Sequence, residues 1–437
     1  MIGYPDTRLE FEGMHRKNLF TSFLLVILCL SASTVLSRVG FAQMIEAKGQ
    51  TMGTIEYKVR LDSLPKELDP QEVGESIQSE LDDVNDLMST YIPDSDVSRF
   101  NDYQDIDWFA VSADTAKVIE RALEISEQTN GAFDITVGPL VELWHFGPDK
   151  GSTEIPKPQA ILDTQGWVGY QKLEVRLDPP ALKKSLAEVR IDLSAIAKGY
   201  AVDRVAVKLD SLGVENYMVL VGGDGRTKGT KSDGASWQIG IEKPDPEQFG
   251  TFQKIAPLET SSMATSGDYR NFFIVDGVWY SHTINPKTGK PVTHNLASAS
   301  VIADDCMTAD AFATAALVLG KDKAVTLLDD LGMDYHLITR EKSKLSETTS
   351  SGLSLLDPGK KRNGTQGRSL LPMFIGTAVI FGLAILGMAV GAIVNNKPIT
   401  GSCGGLSAST NIDGDTTNCS LCHKPTMECP DLDTKEA

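Results

Sequence analysis

Apolar and polar positions alternate in several short stretches of the chain, whereas in others the apolar positions recur every three or four residues. Alternation predicts β-strands, and helical spacing predicts α-helices. Strands are predicted at residues 54–61, 217–221, 237–242 and 271–275, and helices at residues 71–88, 113–129, 198–212 and 309–319. Both kinds of element mix between residues 44 and 345, which predicts one α+β domain without a fixed-period repeat.

The two ends of the chain differ from this middle part. Residues 1–43 place basic side chains before an apolar run and end in small residues, the layout of a secretory leader. Cleavage after Ala42 and retention as a membrane anchor are both compatible with that layout. Residues 346–369 are polar and rich in Gly and Ser, which predicts a flexible linker.

Residues 370–394 carry no charged side chain and are long enough to cross a bilayer, which predicts a transmembrane helix. A leader followed by one span predicts an inner-membrane protein. Its folded domain would be periplasmic, and its tail, residues 395–437, cytoplasmic. The positive-inside rule contradicts this topology, because the exported side would carry Lys360, Lys361 and Arg362. We give the leader more weight, because long domains are translocated largely regardless of their charge.

Composition narrows the possible ligands. The net charge is −18 and the isoelectric point is about 4.8, without a basic run that could neutralise several phosphates, which argues against a nucleic-acid partner. A phosphorylated ligand would need a few lysines or a bound cation. Of six cysteines, Cys29 and Cys306 stand alone, so the α+β domain contains no internal disulfide.

Residues 190–204, RIDLSAIAKGYAVDR, are predicted to enter as an extended segment and to run without a loop into a helix. The first helical turn would hold Asp192, Ala195 and Lys198. Small residues here leave backbone groups uncovered, which suits the close approach of a phosphorylated ligand. A packed junction between strand and helix explains the same small residues.

Three other segments carry polar groups beside turn-forming residues. Residues 130–147 include Asp134, and residues 219–229 form an apolar strand that runs into a Gly-Gly-Asp turn. Residues 281–289 place His282 before an Asn-Pro turn. His282 is therefore either a general base or a histidine that caps this turn.

Asp310 and Thr314 stand four residues apart on a predicted helix, so their side chains share one face. A carboxylate, a hydroxyl and a backbone carbonyl form a donor set that suits Mg²⁺. The alternative is a charge near the helix start and a core threonine that bonds back to the helix.

Together these motifs resemble those of the ApbE family of FAD:protein FMN transferases, over about residues 50–339. Further motifs that carry the resemblance are MGT at residues 52–54, MSTYIPDSDVSRFN at residues 88–101 and ATSGDYRN at residues 264–271. The resemblance implies a duplicated domain related to the T-fold, with FAD in a cleft between the halves. Gly225 departs from it, because relatives more often carry an aliphatic residue there.

The resemblance also implies an activity and a set of site residues. FMN would pass from FAD to a Thr or Ser hydroxyl of an acceptor flavoprotein, in a Mg²⁺-dependent reaction that releases AMP. Mg²⁺ would be held by the Ala195 carbonyl, Asp310 and Thr314, and His282 matches a histidine linked to transfer. The implied flavin contacts are Met52, Tyr91, Ala132, Phe133, Asp134, Asp192, Lys198 and Ile284.

The tail has a separate resemblance, carried by KPITGSCGGL and the cysteines that follow it. It is similar to NqrM, a protein that matures the Na⁺-translocating NADH:quinone reductase, which implies acceptor subunits in that complex. Cys403, Cys419 and Cys422 are candidate ligands for Fe or Zn. A redox dithiol and cysteines without a function are the alternatives.

Two other functions are compatible with the same residues. An FAD pyrophosphatase would use the same metal site, with water as the nucleophile. A flavin-binding or metal-delivery protein would perform no chemistry. Covalent labelling of an acceptor protein distinguishes the transferase from both.

Overall fold

A computed structural model describes residues 44–147, 153–248, 250–341 and 344–359. The helices are α1 (Pro70–Met88), α2 (Asp96–Asp102), α3 (Ala113–Gln128), α4 (Gly138–Leu143), α5 (Pro158–Gln165), α6 (Ala197–Ser211), α7 (Cys306–Leu319) and α8 (Lys321–Asp330). The strands are β1 (Ile45–Thr51), β2 (Ile55–Leu61), β3 (Phe109–Ala110), β4 (Leu173–Leu177), β5 (Pro180–Lys184), β6 (Tyr217–Val221), β7 (Asp224–Lys228), β8 (Trp237–Glu242), β9 (Phe252–Leu258), β10 (Ser261–Gly267), β11 (Phe272–Val275), β12 (Val278–Ser281), β13 (Ile284–Asn285), β14 (Lys290–Pro291), β15 (Leu296–Ala303), β16 (Asp334–Glu341) and β17 (Lys344–Thr349).

An eight-stranded antiparallel sheet organises these elements. Its strand order is β1-β2-β6-β7-β10-β15-β16-β17. Strands β6 and β7 are joined by a two-residue turn, Gly222 and Gly223, whose φ angles are +58° and +101°. Glycine adopts such left-handed angles without steric cost, which explains the pair. The turn places Asp224 at the start of β7.

The two faces of the sheet are covered differently. Val219, Val301 and Leu337 alternate toward one face, where they join the core formed with the helices α1, α6 and α7. Their neighbours point to the other face, where the β8–β9 hairpin buries Trp237 completely. The sheet is therefore buried on both faces. Helices α6 and α7, which pack on one face, also contribute residues to the site.

The pattern-based elements are largely confirmed. The helix predicted at residues 71–88 is Pro70–Met88, and the strands predicted at residues 217–221 and 237–242 have those bounds. Helix α7 begins three residues earlier than predicted, at Cys306, because Asp305 accepts a hydrogen bond from the Thr308 N–H and caps it. The mixture of helix and sheet agrees with the α+β prediction.

One local prediction was wrong. The segment before α6 does not run straight into the helix, since a turn at residues 194–196 separates them and α6 begins at Ala197. The backbone N–H of Ile191 donates to Asn101 Oδ1 at 2.7 Å, and that of Asp192 to the Ile135 carbonyl at 2.8 Å. Because the Asn101 side chain of α2 and the Ile135 carbonyl accept from these groups, the segment joins no strand, and Asp192 and Ala195 precede the helix.

The ordered domain extends further than the sequence predicted. Residues 346–349, which the sequence assigns to a flexible linker, form the last four residues of the edge strand β17. Beyond it, Leu356 exchanges backbone hydrogen bonds with Ile255 at 2.9 Å. The leader, residues 370–394 and the cysteine-rich tail lie outside the described residues. Within the described ranges, no helix is long and apolar enough to cross a membrane.

Candidate active site

A cleft of about 1420 Å³ opens where the start of α6, the turn between β6 and β7 and the end of β10 come together. Ordinary small-molecule sites occupy about 300–1,000 Å³, so this cleft has room for a dinucleotide. Eleven of the site residues predicted from sequence line it: Tyr91, Ala132, Phe133, Asp134, Asp192, Ala195, Lys198, His282, Ile284, Asp310 and Thr314.

Met52 is the predicted flavin contact that is absent from this lining. It lies in the turn between β1 and β2 with a φ of +47° and packs, half-buried, against the main core. Its neighbours Thr54 and Ile55 do line the cleft. The MGT motif therefore shapes this wall through the turn that it forms.

Lys198 lies between two buried carboxylates. Its Nζ donates to Asp224 Oδ2 and lies 3.6 Å from Asp310 Oδ1. The two aspartate side chains are 1% and 4% exposed, respectively. One ammonium therefore serves two carboxylates away from bulk water, where charge interactions are stronger than at the surface.

Asp224 contacts the site through Lys198, and sequence reasoning missed it. The sequence indicates the Gly-Gly-Asp turn but assigns no role to its aspartate. The carboxylate anchors itself through Oδ1, which accepts the Thr265 N–H of β10 at 3.0 Å, while Oδ2 faces Lys198. A buried aspartate at the first position of a strand was the available signal, because a buried carboxylate requires partners.

Glycine at position 225, where the resemblance leads us to expect an aliphatic residue, has a local steric explanation. A β-carbon on Gly225 would lie 2.4 Å from Leu220 Cδ2 and 2.8 Å from the Val219 carbonyl oxygen. The pairing of β6 with β7 nevertheless continues through Leu220 and Gly225. The turn that presents Asp224 is therefore intact.

Helix α7 brings Asp310 against the start of α6. Gly199 donates its backbone N–H to Asp310 Oδ2 at 3.0 Å. In a regular helix this N–H would point at the carbonyl of the residue four positions earlier, which is Ala195. Ala195 and Asp310 both line the cleft. Asp310 accepts the Gly199 N–H that a regular helix would direct at the Ala195 carbonyl.

The start of α7 is itself fixed by a buried carboxylate. Asp203 accepts the backbone N–H groups of Cys306 at 3.0 Å and Met307 at 2.8 Å, together with Arg226 Nη1 at 2.6 Å. Burial raises the pKa of Asp203, although these hydrogen bonds oppose the shift. Burial also raises the pKa of the Cys306 thiol, next to these acidic groups.

The oxygen atoms around Asp310 suit a hard cation. Thr314 follows one helical turn later, and its hydroxyl is 2.9 Å from Ser266 Oγ. Carboxylate, hydroxyl and carbonyl oxygens are donors that Mg²⁺ accepts, usually with water and ligand phosphates completing the octahedron. Within the described ranges, His, Cys, Asp and Glu side chains do not cluster into groups of three that could hold a metal. Water or ligand phosphates would supply the rest of the coordination of a cation here.

His282 enters the cleft from the end of the β11–β12 hairpin. Its Nδ1 and its backbone N–H both lie 3.0 Å from the Asn271 carbonyl oxygen. A carbonyl only accepts hydrogen bonds, so this contact places the hydrogen of the neutral ring on Nδ1 and leaves Nε2 as the basic nitrogen. The ring also meets Phe146 edge to face, with centroids 6.3 Å apart.

An aromatic cluster supports that hairpin. Phe146 stacks on Phe273, Phe273 on Tyr280, and Tyr280 on Trp144, with centroids 5.2 to 5.8 Å apart. Trp144 Nε1 donates to the Gly289 carbonyl at 2.8 Å. These ring contacts and this hydrogen bond fix the hairpin that precedes His282.

Asp134 lines the cleft, but its carboxylate binds its own chain. Oδ1 accepts the Thr136 N–H at 2.9 Å and the Thr136 hydroxyl at 2.6 Å, and Oδ2 accepts the Tyr170 N–H at 2.8 Å. Burial raises the pKa of Asp134 despite these bonds. Asp134 therefore anchors the segment in which Ala132 and Phe133 line the wall of the cleft.

Asp192 and Tyr91 occupy the outer part of the site. Asp192 Oδ1 accepts the Ser194 N–H at 2.8 Å, which shapes the turn that leads to the Ala195 carbonyl. Tyr91 is 60% exposed at the rim, and Ile284 is buried in β13. The predicted flavin contacts thus extend from the rim of the cleft to its floor.

Comparison with known proteins places this geometry in a family. The sequence model of the ApbE family matches residues 52–337. A FAD:protein FMN transferase of Haemophilus influenzae is 39% identical over 348 residues, covering 79% of this chain and 100% of that relative. A FAD:protein FMN transferase of Vibrio cholerae is 39% identical over 310 residues, covering 71% and 92%, respectively.

Solved structures agree with the sequence comparisons. The flavin transferase ApbE from Vibrio cholerae superposes with a TM-score of 0.65 at 38% identity, covering 71% of this chain and 98% of that structure. The apo form of flavinyl transferase ApbE from Pseudomonas stutzeri superposes with a TM-score of 0.65 at 33% identity, covering 71% and 95%. This chain therefore belongs to the ApbE family and is an enzyme of the transferase class.

Proposed function

We propose that the protein transfers FMN from FAD to a Thr or Ser hydroxyl of an acceptor flavoprotein and releases AMP. The observation that carries the proposal is the meeting of Lys198, Asp310 and His282 in one cleft of about 1420 Å³. A cation, a carboxylate and a basic nitrogen are the groups that such a phosphoryl transfer needs. The relatives that cover most of the chain carry the same activity in their names.

The charge of the FAD pyrophosphate would be balanced at the start of α6. Lys198 supplies one positive charge, and the Ala195 carbonyl, Asp310 and Thr314 would hold Mg²⁺. When bound, Mg²⁺ neutralises charge on the phosphate oxygens and stabilises the transition state. This division explains how a protein with a net charge of −18 binds a polyanion without a basic surface.

His282 would take the proton of the acceptor hydroxyl through Nε2. The hydroxyl oxygen then forms a bond to the flavin-side phosphorus, and the bond from that phosphorus to the bridging oxygen breaks. AMP leaves with the bridging oxygen, and FMN remains on the acceptor as a phosphoester. The chain contributes in-line positioning, which supplies most of the rate in phosphoryl transfer.

The proposal is tested by incubating the full-length protein with FAD, Mg²⁺ and an acceptor domain. Flavin fluorescence that comigrates with the acceptor in a denaturing gel is the expected result, and a Thr→Val change at the acceptor site should remove it. Release of FMN without labelling would indicate a pyrophosphatase. FAD binding without either product would indicate a flavin-binding protein.

We also propose a cellular setting, supported by the sequence outside the described residues. The leader and residues 370–394 support an inner-membrane protein with a periplasmic enzyme domain. The tail supports subunits of the Na⁺-translocating NADH:quinone reductase as acceptors, and Fe or Zn at Cys403, Cys419 and Cys422. Metal analysis of anaerobically purified protein tests the last point, since absence of both metals would contradict it.

A further inference from the structure

Asp224 has no role in the proposed reaction, although its buried carboxylate contacts Lys198, which lines the cleft. It lies at the start of β7, and its side chain is 1% exposed. Both of its oxygens have partners, because Oδ1 accepts the Thr265 N–H at 3.0 Å and Oδ2 accepts the Lys198 ammonium. A carboxylate so deeply buried stabilises a specific partner or costs free energy.

The path of the Lys198 side chain is determined by the same turn. A β-carbon on Gly222 would lie 3.3 Å from Lys198 Cδ, so the lysine stem passes directly over this glycine. Gly222 also has a φ of +58°. The turn therefore provides a surface for the stem at Gly222 and an acceptor for the ammonium at Asp224.

Lys198 has a second carboxylate within reach. Asp310 Oδ1 lies 3.6 Å from Nζ, at the edge of ion-pair distance, while Asp310 Oδ2 is held by the Gly199 N–H. A single lysine beside two buried carboxylates moves toward whichever attracts it more strongly. If Asp224 did not hold the ammonium, Lys198 would pair closely with Asp310 and cover the oxygen that faces the cleft.

We propose that Asp224 is a positioning residue that holds Lys198 away from Asp310 and so keeps the Asp310 carboxylate accessible to a divalent cation. The proposal rests on the cation site of the proposed function and adds a separate role for the aspartate of the Gly-Gly-Asp turn. Asp224 would keep the Lys198 ammonium and the Asp310 carboxylate apart, and the proposed reaction needs both charges in one site. Because Asp224 keeps the lysine ammonium from neutralising Asp310, the charge of the Asp310 carboxylate is left for the metal.

Binding of Mn²⁺ to the full-length protein without FAD, followed by electron paramagnetic resonance, tests the proposal without reference to activity. Asp224→Asn keeps the size of the side chain and an oxygen for the Thr265 N–H, but it removes the negative charge that competes with Asp310 for Lys198. Changes to residues that orient a metal ligand typically weaken metal binding about 10- to 100-fold, and we expect about a tenfold rise in Kd.

The decisive comparison is made in a Lys198→Gln background, where no lysine remains to cover Asp310. There, Asp224→Asn should change the Mn²⁺ affinity less than about threefold, because second-site effects vanish when the group that mediates them is removed. An equal loss of affinity in both backgrounds would overturn the proposal, since Asp224 would then act through its own charge or through folding. An unchanged affinity in Asp224→Asn alone would also overturn it.

Asp310→Asn separates this inference from the function on which it rests. If Mn²⁺ binding is lost in Asp310→Asn, the cation site is supported, and the Asp224 comparison decides the inference alone. If Mn²⁺ binds equally well without the Asp310 carboxylate, both the cation site and the role of Asp224 are wrong. Asp96→Asn is the matched control, because Asp96 is a buried aspartate outside the cleft and its loss should leave Mn²⁺ binding unchanged.

Discussion

Gly199 donates its backbone N–H to Oδ2 of Asp310 at 3.0 Å, across the contact between α6 and α7. The two helices can approach this closely because Gly199 has no side chain. A β-carbon there would lie 2.3 Å from the Cys306 carbonyl oxygen and 2.8 Å from Met307 Cα. One glycine thus sets the distance between the helix that carries Lys198 and the helix that carries Asp310.

Gly199→Ala should therefore lower both stability and transfer. The new methyl group meets backbone atoms, which cannot move without separating the helices, and overpacking of this kind costs about 1–3 kcal/mol of unfolding free energy. Urea denaturation measures the loss of stability, and acceptor flavinylation measures the loss of transfer.

Gly74→Ala is the matched control for this change. Gly74 lies inside α1, and a β-carbon there would meet nothing within 4 Å. Alanine is favoured over glycine in a helix interior by about 0.5–1 kcal/mol, so this variant should be more stable than the wild type. Equal effects of the two substitutions would contradict the close-approach role of Gly199.

Asp310→Asn tests the carboxylate with little change in shape. The amide oxygen can still accept the Gly199 N–H, but the charge that attracts a divalent cation is lost. Loss of several kcal/mol of electrostatic stabilisation corresponds to about a 100-fold or greater fall in transfer rate. Flavinylation is measured across a Mg²⁺ titration, where the remaining activity should require more Mg²⁺. Full activity at ordinary Mg²⁺ concentrations would show that Asp310 is not a metal ligand.

Much of the fold could be predicted from local pattern. Helix α1 repeats its buried apolar positions at helical spacing, and strand β6 is a short run of five apolar residues, so the predicted and observed bounds agree closely. Strand order could not be predicted in this way, because β2 pairs with β6 through Tyr57 and Val221, which lie far apart in sequence. Such pairing depends on the whole core rather than on any one segment.

Less of the site than of the fold could be predicted from the sequence. Asp310 and Thr314 were recognised by their helical spacing, whereas the Ala195 carbonyl was implied by family resemblance because a backbone group has no side-chain signal. Asp224 was missed, because its role depends on Lys198 from a different element. Asp134 was predicted as a flavin contact, and its hydrogen bonds show in addition that it caps the following turn.

His282→Gln tests the assignment of the general base. Glutamine preserves a polar group near the Asn271 carbonyl but cannot accept a proton at neutral pH. Loss of a general base typically lowers the rate about 10²- to 10⁴-fold, and FAD affinity should change little. Single-turnover flavinylation and FAD binding are measured together. His294→Gln, outside the cleft, should leave both unchanged. If the rate of His282→Gln is within about threefold of the wild-type rate, proton transfer by His282 is excluded, because loss of a general base lowers the rate far more than that.

His336 should make the stability of the domain dependent on pH. It is completely buried in β16, where its Nδ1 lies 2.7 Å from Thr349 Oγ1, and burial lowers its pKa below the ordinary value. Glu347 opposes this shift and Lys254 adds to it. The unfolded chain therefore binds a proton at a pH where the folded protein does not, so stability falls as the pH drops below about 6.5.

The corresponding variant is His336→Gln, which keeps a polar side chain but does not titrate. Between pH 7 and pH 5, the unfolding free energy of the wild type should decrease more steeply than that of the variant. Urea denaturation at several pH values measures both slopes, and the difference between them isolates the histidine from other titrating groups. Parallel profiles would show that His336 has the same proton affinity in the folded and unfolded states, contrary to the effect expected from its burial.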